Sequence, residues 1–143
     1  MRARSERGTP TVKAVARWAF AAALVIAGLA HFVALGSFLP LVPSWLPWAR
    51  AIVVITGVME IAFGAALVLV PAGPGRRATA WALAAFLVVV FAGNVTQAVS
   101  GVDTFGLGSD AARWGRLAFQ PLLILWALWS TDAWPFRARR DRL

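Results

Sequence analysis

The chain has no cysteine, no tyrosine and a single histidine, His31, in 143 residues. Without cysteine, the chain itself supports no disulfide, no thiolate chemistry, no covalent haem c attachment and no cysteine-ligated iron–sulfur cluster. One histidine does not by itself build a zinc site or a bis-histidine haem. No covalent cofactor is therefore expected, and any redox role needs another carrier. Charge is scarce as well: 14% of residues are charged, and acidic side chains number 6 against 14 basic ones, for a net charge of +8. The basic residues are scattered among segments flanking apolar runs, and no nucleic-acid-binding motif accompanies them. Anionic lipid explains them better, and no nucleic-acid partner is expected.

Apolar residues fill the space left by charge, at 60% of the chain. Residues 18–38, 51–70, 78–99 and 114–131 are each predominantly apolar. At about 1.5 Å per residue each covers about 27 to 33 Å, the thickness of a bilayer core. No period-2 alternation runs through them, which excludes an outer-membrane barrel. The expectation is an all-α integral membrane protein, an antiparallel four-helix bundle. It divides into a basic leader (1–17), a transmembrane domain (18–131) and a basic tail (132–143).

Orientation follows from the basic residues. Arg2, Arg4, Arg7, Lys13 and Arg17 precede the first span, Arg76 and Arg77 lie between the second and third, and Arg137, Arg139, Arg140 and Arg142 follow the fourth. Only Arg50, Arg113 and Arg116 fall on the opposite side. The positive-inside rule then puts both termini in the cytoplasm and the protein in the plasma (inner) membrane. Tryptophan agrees: Trp18, Trp81, Trp129 and Trp134 fall near the inner boundary, Trp45, Trp48 and Trp114 near the outer one, and Trp126 deeper. The first span exceeds a signal-peptide core and lacks a small-x-small cleavage site, so it reads as an uncleaved anchor with a flexible basic leader.

The loops differ in character. Residues 39–48 are apolar, proline-rich and aromatic, so they do not continue a helix and are expected at the outer interface, as a lid over a pocket or as a membrane anchor. Residues 71–77 form a short turn between antiparallel neighbours. Residues 100–113, with three glycines and two aspartates, read as a flexible acidic segment too sparse in carboxylates for calcium. Pro121 inside the fourth span is expected to remove the hydrogen bond to the Leu117 carbonyl and kink the helix.

Six polar residues interrupt the apolar spans: His31, Glu60, Asn94, Gln97, Arg116 and Gln120. Counted inward from the outer end, Arg116 and Gln97 lie about 3 Å deep, Asn94 and Gln120 about 7 to 9 Å, His31 about 10 Å and Glu60 about 14 Å. Asn94 and Gln97 share a face by i,i+3, as do Arg116 and Gln120 by i,i+4. A carboxylate facing lipid at the depth of Glu60 costs at least about 2.5 kcal/mol, so Glu60 must face protein and find a partner or a proton. Gly57 and Gly64 on its face admit a close neighbouring helix, and His31 is positioned to share that proton. Any one amide in a span is more often interhelical glue than ligand contact, and Arg116 alone reads as a snorkelling side chain. The whole set at graded depth reads as a cavity: Glu60 and His31 as catalytic acid and base, with Asn94, Gln97, Arg116 and Gln120 binding substrate.

Gly28-Leu29-Ala30-His31-Phe32, the proline and tryptophan stretch, Gly57-Val58-Met59-Glu60-Ile61 with Gly64, Gly93-Asn94-Val95 and Arg116-Leu117-Ala118-Phe119-Gln120 together resemble the DoxX/MauE-like family of small four-helix membrane proteins, over residues 18 to 131. The chain has Ala92-Gly93-Asn94 where related chains often read Pro-Ala-Asn, and its proline comes later, at Pro121. The resemblance implies redox work beside a soluble or membrane oxidoreductase partner. A quinone is then the leading lipophilic small molecule for the pocket. Two further readings stand beside it. One is a non-redox membrane isomerase, cyclase or hydrolase on a hydrophobic substrate, and the other a membrane scaffold for a soluble oxidoreductase. The oligomeric state is not legible.

Overall fold

The computed structural model describes residues 8–106 and 108–134. Arg2, Arg4, Arg7 and the four arginines of the expected tail, Arg137 to Arg142, lie outside the described residues. The described residues are helical without strands: α1 (Gly8–Val33), α2 (Leu35–Phe38), a 3-10 turn (Leu39–Leu41), α3 (Ala49–Leu69), α4 (Pro74–Ser100) and α5 (Asp110–Ser130). Helices α1, α3 and α4 contain stretches long and apolar enough to cross a membrane. Helix α5 has the length, but Arg113, Arg116 and Gln120 dilute its first half.

Helix boundaries depart from the sequence expectation for local reasons. Helix α1 begins at Gly8, so the part of the expected leader from residue 8 to 17 is helical rather than flexible, and Lys13 and Arg17 lie on that helix. It ends at Val33, five residues early, where Ala34 leaves helical geometry (φ −114°, ψ 35°). The chain then makes one short helix and a 3-10 turn containing Pro40. Helix α4 starts at Pro74, four residues before the expected span, because proline in a first turn has no N–H that the helix needs. It stops at Gly101, whose φ of +64° is the left-handed conformation that ends helices and that glycine adopts without strain. Helix α5 begins at Asp110 because Ser109 caps it, accepting from the Ala112 N–H at 3.2 Å, and it runs unbroken through Pro121.

The long helices pack in the cyclic order α1, α3, α4, α5 and back to α1. Paired contacts show the directions to be antiparallel: Ala21 with Gly64 and Gly28 with Gly57 for α1 and α3, Arg77 with Asp132 and Asn94 with Gln120 for α4 and α5, and Lys13 with Asp132 and Phe20 with Trp126 for α1 and α5; α3 meets α4 through Phe63 and Phe86. The tightest seam is α1 against α3. A Cβ at Gly28 would lie 2.6 Å from the Gly57 carbonyl oxygen, and one at Gly57 would lie 2.7 Å from the His31 Cβ. The hydrophobic core lies toward the end that carries both described termini, built around Phe20, Leu24, Leu67, Leu83, Leu87 and Ala127. Lys13 Nζ meets Asp132 there at 2.5 Å, and Arg77 Nε donates to the Asp132 carbonyl at 3.2 Å. The opposite half is not filled by side chains, and it holds the site.

Candidate functional site

A cavity of about 590 Å³ occupies that half, within the usual range of small-molecule sites. All four long helices line it, and most of the lining is apolar. Five of the six polar residues expected to converge do so: His31 from α1, Glu60 from α3, Asn94 from α4, and Arg116 and Gln120 from α5.

Gln97 is not among them. It is 1% exposed, and its Nε2 donates at 2.8 Å to Thr104 Oγ1, tying the end of α4 to the segment before α5. One helical turn separates it from the cavity-lining Asn94, and the chain leaving α4 folds back over it. That segment, read from sequence as flexible, is held at several points. The Arg113 guanidinium donates to the Gly108 carbonyl at 3.1 Å, pairs with Asp110 and lies 3.9 Å from Asp103.

Within the cavity, α1 and α3 bring an acid and a base together because their glycines let the backbones cross. His31 Nδ1 is 3.4 Å from Glu60 Oε2, and both side chains are largely buried. The same nitrogen makes its hydrogen bond to the Ala27 carbonyl, at 2.9 Å, one helical turn back. Glu60 Oε2 is consequently buried without a hydrogen-bond partner among the described residues. A buried carboxyl oxygen in that condition is stabilised by a proton of its own or by a donor from a bound molecule.

Three further lining side chains form a directional relay. Arg116 Nη2 donates to Asn94 Oδ1 at 3.3 Å, Asn94 Nδ2 to Gln120 Oε1 at 2.9 Å, and Gln120 Nε2 to the Leu87 carbonyl at 3.0 Å. Each amide is oriented by the next, leaving the guanidinium with donors to spare. No carboxylate lies within 4 Å of Arg116 among the described residues, and its charge sits instead over the Phe105 ring, 5.7 Å from the centroid. Contacts of this cation–π type hold a guanidinium in place without neutralising it.

The roof is aromatic and apolar. The His31 ring stacks on Phe38 of α2 with centroids 3.8 Å apart, and Phe38 meets Phe105 edge-on at 4.8 Å. Leu41, Val42, Pro43 and Leu46 line the cavity, whereas Trp45 and Trp48 in the same segment are 76% and 80% exposed. The stretch from 39 to 48 thus covers the pocket with one set of side chains and presents tryptophan outward with another. Gly93 lets it approach α4, since a Cβ there would come to 3.3 Å from the Leu41 carbonyl oxygen.

Among the lining residues that escaped the sequence reading, three bear directly on the polar groups. Thr56 lies one turn before Glu60 on the same face, a spacing that would have found it. Its hydroxyl donates back to the Ile52 and Val53 carbonyls at 3.0 and 2.9 Å, which leaves its oxygen free to accept in the cavity. Phe38 and Phe105 carry no such signal, because only the folded chain brings them over His31 and Arg116.

The chain belongs to the family described as Domain of unknown function (DUF8561), whose profile matches residues 20–131. That range contains the five polar cavity residues and Gln97. No curated protein and no solved structure matches the chain.

Proposed function

We propose that this DUF8561 member is an integral plasma-membrane protein whose outer-half cavity binds the polar head of a lipophilic molecule, with a quinone as the best fit. In this reading the helices form a membrane-spanning antiparallel four-helix bundle with both termini cytoplasmic. Helix α5 tolerates Arg116 and Gln120 at depth because they face the cavity rather than lipid. The exposed faces of α1, α3 and α4, with Ile26, Val33, Ile55, Leu69, Val88 and Val99 outward, suit contact with acyl chains.

The observation that carries the reading is the unpaired state of two groups in the site. Among the described residues, a guanidinium with no carboxylate within 4 Å and a carboxyl oxygen with no donor line one mostly apolar void. A ring with oxygens on opposite edges satisfies both. Arg116 donates to one oxygen and stabilises negative charge as it develops there, with Asn94 and Gln120 holding the guanidinium in place. Glu60 and His31 pass a proton to the other oxygen, or take one from it. Reduction of a quinone to its quinol consumes two electrons and two protons, one delivered through Glu60 and His31 and the second taken from solvent at the oxygen that Arg116 holds. The electrons come from an oxidoreductase partner in this proposal, in line with the resemblance to DoxX/MauE-like proteins. The test is thermal unfolding of the purified chain with a benzoquinone carrying a ten-carbon side chain. A rise in midpoint of several degrees that Arg116→Met removes supports the reading, and no rise in the unaltered chain rejects it.

A second reading rests on the His31–Glu60 pair alone, which performs acid–base chemistry without any electron carrier. It has the protein isomerise, cyclise or hydrolyse a hydrophobic substrate, and turnover by the isolated chain without a redox partner would favour it.

A further inference from the structure

The cavity has a side door, and the geometry points to it as the seat of a hydrocarbon chain: between α1 and α5 a slot past Ala23 and Ala27 on one side and Phe119 and Leu123 on the other admits a single-tailed amphiphile. Its head reaches the Arg116 relay, and its tail lies in the slot or passes out through it. This inference rests on the membrane cavity proposed above and names the shape of what fills it.

Three observations converge on the slot. First, α1 and α5 are joined at one end. Lys13 pairs with Asp132 and covers Trp129, Trp126 Nε1 donates to the Ala16 carbonyl at 3.0 Å, and Trp126 stacks on Phe20 at 4.9 Å. Continuing that antiparallel register past Phe20 sets Ala23 and Ala27 across from Phe119 and Leu123. Second, these four residues all line the cavity, yet Ala23, Ala27 and Phe119 are exposed on the outer surface and Leu123 is half-buried. A residue that both lines an interior void and meets the surroundings marks an opening. Two alanines on α1 put small side chains at this place, where larger ones would narrow the opening.

Third, the outer and inner ends are covered, and the exposed lining residues Val89 and Ala92 on α4 mark a second lateral approach, again free of polar side chains. The segment around Leu41 to Leu46, with Phe38 and Phe105, roofs the cavity toward the outer end, and Phe20, Leu24 and Leu87 floor it. The Phe105–Arg116 contact anchors the roof to α5. A water-soluble ligand would need that roof to move, whereas a molecule dissolved in the bilayer meets the slot directly. The slot carries no polar side chain, so it recognises a hydrocarbon chain by shape and the absence of water rather than by hydrogen bonds.

The test compares two quinones with the same ring, one bare and one with a ten-carbon side chain, binding to the full chain in nanodiscs and read by quenching of tryptophan fluorescence. The chain-bearing quinone is expected to bind at least about tenfold more tightly, and Ala23→Trp, which plugs the slot, is expected to abolish that preference. Phe119→Ala, which widens it, retains the preference. A preference unaltered by Ala23→Trp overturns the slot. If neither quinone binds, the quinone reading fails while the slot is still decided by a second measurement. In the cysteine-free chain, Ala23→Cys is expected to react with N-dodecylmaleimide at least about ten times faster than with a charged, water-soluble maleimide of matched intrinsic reactivity, relative to a cysteine placed at the exposed Ala72. Equal relative rates overturn the slot.

Discussion

His31 Nδ1 stands 3.4 Å from Glu60 Oε2 while its hydrogen bond goes to the Ala27 carbonyl at 2.9 Å, so one nitrogen faces two oxygens with one proton to offer. With that proton on Nδ1, the carboxyl oxygen lacks a donor. With Nδ1 bare, a protonated Glu60 is placed to donate into it. A ligand hydroxyl that donates to Glu60 displaces the carboxyl's own proton, and a proton that His31 does not take up leaves to solvent. Calorimetric binding of the chain-bearing quinone, as its quinol, should therefore show an enthalpy that depends on the buffer's ionisation enthalpy. Glu60→Gln should remove the dependence while weakening affinity by about tenfold or less, the worth of one lost hydrogen bond. An undiminished buffer dependence in Glu60→Gln would exclude the carboxyl as the exchanging group. His31→Phe keeps a ring against Phe38 and should melt close to wild type, whereas His31→Ala should lose about 0.5–1.5 kcal/mol with the stack.

The crossing of α1 and α3 sets the distance between that acid and base, and it rests on two glycines. An alanine at Gly28 would press its Cβ to 2.6 Å from the Gly57 backbone oxygen, which has no rotamer by which to yield. Gly28→Ala and Gly57→Ala should each cost about 1–3 kcal/mol, the usual penalty of overpacking. Gly36, with nothing within 4 Å of its missing Cβ, is the control, and Gly36→Ala should stay within about 0.5 kcal/mol of wild type. Thermal unfolding in detergent decides this, and identical midpoints for Gly28→Ala and Gly36→Ala would show that the helices have room to part.

Much of this arrangement was legible in the sequence because apolar helices make polar residues conspicuous. Glu60, flanked by Gly57 and Gly64 on one helical face, declared both its own inward orientation and the close approach of a neighbour, and α1 is that neighbour. The convergence of His31, Asn94, Arg116 and Gln120 followed from depth alone, since residues at similar depth in a small bundle have few other places to meet. Gln97 shows the limit of that reasoning. It lies three residues from Asn94 on a shared face, but a loop hydroxyl from Thr104 claims it, and loop paths leave no periodic trace. The helix starts at Pro74 and Asp110 were missed because charged and glycine residues near a helix end look like loop until the cap is seen. Phe38 and Phe105 were invisible, being ordinary apolar residues made functional by what they cover.

The different fates of the amides give a sharper test than removing any one of them. Asn94 sits in the middle of the relay, accepting from Arg116 and donating to Gln120, so the two amides should be coupled. A double-mutant cycle with Asn94→Leu and Gln120→Leu should return an interaction of about 0.6 kcal/mol, and no more than about 1.7, the span measured for hydrogen bonds between membrane helices. Gln97→Leu should lower the melting midpoint by freeing the segment at Thr104 while leaving quinone affinity within about twofold, since its side chain stays outside the cavity. A loss of affinity in Gln97→Leu as large as that in Asn94→Leu would return Gln97 to the binding site.

Orientation is the remaining expectation that a direct measurement reaches, and the absence of native cysteine makes it simple. Ala72 and Ser109 are both exposed, and lie at opposite ends of the long helices, in the turn before α4 and at the start of α5. If the basic residues Lys13, Arg17, Arg76 and Arg77 mark the cytoplasmic side, Ser109→Cys in intact cells should react with a maleimide that does not cross membranes, and Ala72→Cys should react only after the cells are opened. Because Ser109 caps α5, its loss costs about 1 kcal/mol, too little to unfold the chain, and Gly106→Cys is avoided since φ there is +71°. The reverse labelling pattern would turn the cavity toward the cytoplasm. The roof over Phe38 and Phe105 would then face a soluble partner inside the cell instead of one outside it.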